Sequence, residues 1–459
     1  MKRWLLLLLC GAASSSLHAE NLMDVYRKAL TQDAAFASAR AAYRAGLEKL
    51  PQGRALLLPS VNLGANTTYN DMNTQYGGGS SLFASGAHTY NSHGYTLSLD
   101  QPLYHKQNIA QYEESKLQVS QAEAQLASAR LDLIVRVAQA YFDVLLAQDN
   151  VGLAAAQKAA IAEQLAQAKR NFEVGTATIV DTNEAQSRYD LAVSQQISAE
   201  NDLEVKKRAL QQIINQIPAH LAVLSEKFPL VLPEPNDMDK WVATAEQRNP
   251  QLQVQRAALE IATQEVERNR GGHYPTLDLV ASYSDNSASG GTFGAADTTS
   301  KAIGLQLNLP LYQGGAISSK VREAVANQDK ARQDLDNTRR QVDLQTRQAF
   351  LGVTSGDAQV RALQQARVSS QTSLDSTKLG FEVGVRTNVD VLNAQQQLYS
   401  AKRDLFQARY NFIMSQLKLR SAVGTLSEAD LEQVNRWLGG EQGILPEADF
   451  TQKPAQSTP

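Results

Sequence analysis

The sequence predicts an α-helical chain that also carries a transmembrane β-barrel, built from long coiled-coil hairpins and four β-strands per protomer. Three observations predict it. The chain is written twice, each half holds a run of about seventy residues without proline, and each half holds two segments of alternating polarity.

The duplication comes first, because a missed repeat misreads the whole architecture. Phe172-Glu173-Val174-Gly175 recurs as Phe381-Glu382-Val383-Gly384, an offset of 209. The same offset carries Thr178, Val180, Asp181, Ala185 and Gln186 onto Thr387, Val389, Asp390, Ala394 and Gln395. Upstream the offset is 216, pairing Arg40-Ala41-Ala42 with Arg256-Ala257-Ala258. The change falls in 71–94 and 287–302, both rich in Gly, Ser, Asn and Thr, the composition of surface loops that tolerate altered length.

The elements follow in order. A basic Met1-Lys2-Arg3, an apolar run from Trp4 to Cys10 and a small-residue stretch ending at Ala19 predict a signal peptide over 1–19. Leu9 stands before Cys10 where lipid attachment wants a small residue, which argues against an anchor there. A chain starting at Glu20 has no cysteine and draws no stability from disulfides. The first repeat, 20–228, opens with a helix over about 22–57. Strands follow at Val61, Leu63, Ala65, Thr67, Tyr69 and at Tyr95, Leu97, Leu99. From Tyr104 to Phe172 there is no proline, and seventy helical residues reach roughly 105 Å. Gly175 turns the chain and a second helix returns over about 177–216.

A proline-rich linker, 229–237, leads to the second repeat, 238–438, which follows the same plan. Its opening helix runs over about 238–270, and its strands at Leu277, Leu279, Ala281, Tyr283 and at Ile303, Leu305, Leu307, Leu309. A proline-free run from Leu311 to Phe381, a turn at Gly384 and a returning helix over about 386–422 complete it. The polar tail 439–459, with Pro446, Pro454 and Pro459, is predicted to be disordered.

Counting then constrains the strands. Apolar and polar positions alternate in them as in lipid-facing strands, and equally as in a soluble sheet with one wet face. Four strands do not close a barrel, the smallest of which needs about eight, and open edges cannot face lipid. Several copies must therefore share one barrel, of eight, twelve or sixteen strands, and the pattern does not choose among them. No stretch approaches ~18 apolar residues, so a transmembrane helix is excluded. The net charge of −3 gives no sign of a nucleic-acid partner.

Enzymes fare badly. His18, His88, His93, His105, His220 and His273 show no metal-ligand spacing, and Gly77-Gly78-Gly79 lacks the lysine and helix start of a phosphate loop. No nucleophile and base can be paired from spacing, so neither catalysis, cofactor nor metal is expected. A soluble periplasmic coiled-coil scaffold or adaptor is the competing reading. It accounts for the helices but leaves the four strands unexplained.

With these features in place, the chain resembles the TolC-like outer-membrane efflux protein family, the outer membrane factors. The residues that carry the likeness are Glu20-Asn21-Leu22-Met23, Tyr274-Pro275-Thr276-Leu277-Asp278-Leu279, Leu309-Pro310-Leu311-Tyr312-Gln313-Gly314-Gly315, the run from Val383 to Leu392, and Ala408-Arg409-Tyr410-Asn411. The resemblance implies a homotrimer sharing a twelve-stranded barrel among outer-membrane lipid, continued by a twelve-helix tunnel in the periplasm. It further implies a periplasmic adaptor (a membrane fusion protein) and an inner-membrane pump of RND, ABC or MFS type, serving multidrug efflux or type I secretion.

The same resemblance singles out residues. Asp390 matches an inward aspartate ring at a pore aperture, and rings of carboxylates make cation-selective constrictions; the plain alternative is a helix cap. Where relatives carry a second aspartate this chain has Asn393. Arg386 matches a latch arginine directed at Asp181, while Phe381 replaces the latch tyrosine and Val180 the latch threonine. Arg386 stands four residues before Asp390, which would place both on one helix face. The tips Val174-Gly175-Thr176 and Val383-Gly384-Val385 match adaptor-docking surfaces, although turn geometry alone accounts for both glycines.

Overall fold

A computed structural model describes residues 19–75, 86–218, 220–225, 228–291 and 294–439. The signal-peptide segment before Ala19, the Gly77–Gly79 run and the tail beyond Gly439 lie outside the described residues.

Where one opening helix was expected, the chain forms three: α1 (Leu22–Gln32), α2 (Ala34–Leu47) and α3 (Lys49–Ala55). Asp33 makes the first break. Its backbone is extended (ψ 118°), and its carboxylate accepts from the Phe36 N–H at 2.6 Å, capping α2. Burial is the largest influence on this carboxyl and raises its pKa. The two-pronged contact from Arg136, at 3.0 and 3.1 Å, and the backbone N–H bonds outweigh burial and hold it below the usual range.

Strands β1 (Ser60–Thr74) and β2 (Gly86–Tyr104) come next, then the 68-residue helix α4 (Lys106–Glu173) and its return α5 (Ile179–Ile214). The second repeat again splits its opening helix, into α6 (Met238–Arg248) and α7 (Pro250–Arg270), followed by a 3-10 turn at Gly271–His273. Asn249 precedes a proline and is pushed out of the helical region (ψ 122°). Strands β3 (Thr276–Ala288) and β4 (Ala296–Asn308), the 67-residue helix α8 (Ala316–Glu382) and its return α9 (Asn388–Val423) follow. A short helix absent from the sequence reading, α10 (Glu428–Asn435), closes the described chain.

The four strands form one antiparallel sheet in chain order, with β1 and β4 as its two edges. They extend well into 71–94 and 287–302, which had been expected as loops. Ladder hydrogen bonds belong to the backbone, so Thr, Asn and Ser carry the pairing past the apolar stretch. The apolar face runs through Leu63 opposite Leu97, Leu97 opposite Tyr283, and Leu279 opposite Leu305. Its outer limit lies at Tyr69, Tyr95, Tyr283 and Ile303 on successive strands. These residues do not share a row: Tyr95 faces Ala65, Tyr283 faces Leu97 and Ile303 faces Ala281. The limit thus slides along the strands from each to the next, as it must where strands tilt across a membrane. No described helix is long and apolar enough to cross a membrane.

Compact units do not follow the repeats. One comprises Ala39–Ala127 and Pro250–Gln341 and contains the sheet. The other comprises the chain up to Ser38, Ser128–Asn249 and Val342 onward, and contains both hairpin tips. Its core includes Leu22, Val25 and Tyr26 on α1, Leu133, Ile134, Tyr141 and Phe142 on α4, and Phe412 and Ile413 on α9. Tyr141 donates to the carbonyl of Ala222 at 2.7 Å, so its buried hydroxyl is satisfied.

Candidate functional site at the hairpin tips

Both tips are built by one backbone recipe. At the first, Gly175 takes a left-handed conformation (φ +78°), its N–H bonds the carbonyl of Phe172 at 3.0 Å, and the Thr176 N–H bonds that of Asn171 at 2.8 Å. At the second, Gly384 (φ +81°) bonds Phe381 at 3.0 Å and Val385 bonds Gly380 at 2.9 Å. A left-handed residue here satisfies the last helical carbonyls and favours glycine over any side chain. The returning helices then start on matching capping boxes. Thr178 Oγ1 accepts from the Asp181 N–H at 3.3 Å while Asp181 Oδ2 accepts from the Thr178 N–H at 3.0 Å. Thr387 and Asp390 repeat the exchange at 3.2 and 2.9 Å.

The geometry places the expected residues as follows. Asp390 is half-buried at the third position of α9 and is a cap within the protomer. The Thr387 N–H, then the Thr387 hydroxyl, hold its carboxyl below the usual carboxylate range, and the charge of Arg386 adds to them. Asp390 is therefore a fixed anion. Arg386 precedes the cap Thr387, so it lies in the turn and not on the face of α9 that carries Asp390; the four-residue spacing misled because the helix begins later. Its stem crosses Gly380, where a Cβ would sit 2.8 Å from Arg386 Cγ.

Among the described ion pairs within the protomer, none joins Arg386 to Asp181. Phe381 packs on the cluster of Leu374, Val391 and Leu398. Val180 is 67% exposed, and Val174, Val383 and Val385 are 73%, 66% and 75% exposed. Both tips therefore present largely exposed apolar side chains.

Asn393 is not free. Its Oδ1 accepts from Arg188 Nη2 at 3.1 Å, and Arg188 also reaches Gln396 on α9 and Glu184 on its own helix. The sequence reading passed over Arg188, Glu184 and Gln396. The one available signal was that Glu184 and Asn393 share a repeat position with an arginine one turn after Glu184. Among the described residues no group of His, Cys, Asp and Glu is placed to hold a metal ion.

Comparison with known proteins agrees with this architecture. The model of the family described as "Outer membrane efflux protein" matches residues 25–216 and 241–425. The chain is 35% identical over 433 residues to outer membrane protein TolC of Vibrio cholerae, covering 93% of this chain and 96% of that one. It is also 35% identical over 421 residues to the alkaline protease secretion protein AprF of Pseudomonas aeruginosa, covering 90% and 86%. Among solved structures, the outer membrane protein VceC of Vibrio cholerae superposes with a TM-score of 0.76 at 19% identity, over 88% of this chain and 96% of that one. With repeats, sheet and paired tips all accounted for, the chain belongs to the outer membrane efflux protein family, as a non-enzymatic efflux channel of the outer membrane.

Proposed function

We propose that three copies close one twelve-stranded barrel and that their hairpin tips form its gated periplasmic end. The open outer edges of β1 and β4 support the sharing of a barrel, since neither edge is paired with a strand among the described residues. Family membership implies a trimer working with an efflux pump; in this reading the exposed apolar tips dock the periplasmic adaptor, and an RND, ABC or MFS pump supplies the energy. The cargo is a drug or, as the name of the protease-secretion relative supports, a protein leaving by type I secretion.

The fixed anion Asp390 carries the gate assignment. Three such carboxylates around a narrow opening focus a negative field that favours cations. No described ion pair joins Asp181 to Arg386 within a protomer, so the latch is read as a contact between neighbours, with Phe381 and Val180 making it lighter than a fully hydrogen-bonded one, while Asn393 in place of a second aspartate weakens cation block at the aperture. Planar-bilayer recordings test the reading. Asp390→Ala is expected to lower cation selectivity and weaken block by multivalent cations, whereas Arg386→Ser is expected to raise conductance. Unchanged selectivity and block in Asp390→Ala would reduce the aspartate to a cap and remove it from the gate.

A further inference from the structure

The two hairpins of a protomer are held together at one place by a single cation. Arg188 Nε donates to Glu184 Oε1 at 2.9 Å, Nη2 to Asn393 Oδ1 at 3.1 Å, and Nη1 to Gln396 Oε1. Glu184 and Asn393 are one position of the duplicated sequence, separated by the repeat offset. The guanidinium therefore spans both copies of that position, one on α5 and one on α9. Its planar fork can serve several acceptors at once, which a lysine cannot.

Little else fastens α9 to the first hairpin at this level. One leucine of α9, Leu392, enters the apolar cluster of Ile161, Leu165, Ala168, Ala185 and Ala192. On the same turns of the two helices, Thr182 Oγ1, Asn388 Nδ2 and Gln395 Oε1 are buried without a hydrogen-bond partner. Unpaired buried polar atoms are a standing penalty that hydration relieves, so separation of the helices regains hydration for these three groups and is opposed by the arginine together with the packing of Leu392.

We propose that Arg188 is the tie that holds the second hairpin closed on the first within each protomer, acting as a positioning residue for the aperture. This rests on the reading of the tips as the gated end. The tie is distinct from any contact of Arg386, since it is made inside one chain and its acceptors are the amides of Asn393 and Gln396.

The test is single-channel recording of the intact protein in planar lipid bilayers, after each variant is recovered from the outer membrane with the assembly state of wild type. Arg188→Ala is expected to raise the open-to-closed ratio on the order of tenfold, the usual scale for losing hydrogen bonds to a charged group. Arg188→Lys, which keeps the charge beside Glu184 but loses the fork, is expected to recover part of the closure. Asn393→Ala is expected to open the channel too, and the double variant no further than Arg188→Ala alone. Arg188→Ala gating identical to wild type, or effects of the two single changes that add in full, would overturn the tie. Asp390→Ala run in parallel separates the two readings. If it leaves block unchanged while Arg188→Ala opens the channel, the tie stands and the aperture assignment fails; the reverse pattern sinks the tie alone.

Discussion

The returning helices α5 and α9 occupy the same place in the two repeats and have the same length, 36 residues, yet α9 buries fifteen of them within the chain and α5 buries four. Duplication supplied two equivalent helices, and divergence gave them different work. Helix α9 became a core element, placing Phe412, Ile413 and Leu417 where water is excluded. Helix α5 kept apolar residues facing outward, with Leu191, Ile197 and Val205 each more than half exposed in the single chain. A face of that kind is what an assembly covers, and family membership implies a trimer.

The largest expected effect tests this contrast directly. Phe412 is fully buried, with its ring 6.2 Å from that of Phe228, while its repeat counterpart on α5 is Leu203, half-buried. Phe412→Ala is expected to destabilise the protein by about 3–5 kcal/mol and Leu203→Ala by roughly 1–2 kcal/mol, read as the thermal shift of the detergent-extracted protein. Equal shifts would break the comparison, because they would mean that assembly buries α5 as deeply as the chain buries α9.

A smaller effect probes what did not diverge. Thr178→Ala and Thr387→Ala each remove one side of a capping box and are expected to cost about 1 kcal/mol apiece. Hydrogen exchange at the two tips should rise equally. A tip that ignores the loss of its threonine is held by something other than its cap.

The smallest effect depends on pH. Tyr410 on α9 donates to Asp149 Oδ2 at 2.6 Å, whereas the counterpart of Tyr410 on α5 is the exposed Asn201. Burial raises the pKa of Asp149, and the Tyr410 hydrogen bond and the Arg409 charge offset it only in part. A carboxyl with a raised folded pKa contributes stability when protonated, and that contribution is lost as pH rises through the raised value. Wild type should therefore lose stability relative to Asp149→Asn as pH climbs past the ordinary carboxylate range, and the difference should level off once Asp149 is ionised. A constant difference over that climb would show that the folded chain does not hold the Asp149 carboxyl above its unfolded value.

The sequence was most legible where structure is local. The repeated Phe-Glu-Val-Gly predicted both tips, and Thr178 with Asp181, like Thr387 with Asp390, spells a capping box within four residues. Alternation located the strands, although not their ends, because backbone pairing continues where side-chain contrast stops. Distant partners were illegible. Asp33 ends α1 with help from Arg136, 103 residues away, and Arg188 meets Asn393 at a separation of 205. Nothing in the local pattern marks Asp33 and Arg136 as a pair before the chain has folded, and for Arg188 the one hint is the repeat position that Glu184 and Asn393 share. Helix α10, only eight residues long, is too short for periodicity to register.

The open edges of β1 and β4 also bear on how the channel comes into being. Among the described residues, a chain with its three ladders complete still leaves the outer edges of β1 and β4 with their backbone donors and acceptors unspent. Under the proposed sharing of one barrel, its last folding step is an encounter between chains, with a rate that rises with their local concentration. A protomer in isolation is an unfinished intermediate, as able to pair with a wrong edge as with the right one. Lys301 and Asp297 on β4 put charge along one such edge, which disfavours flat, indiscriminate stacking while leaving a registered neighbour acceptable.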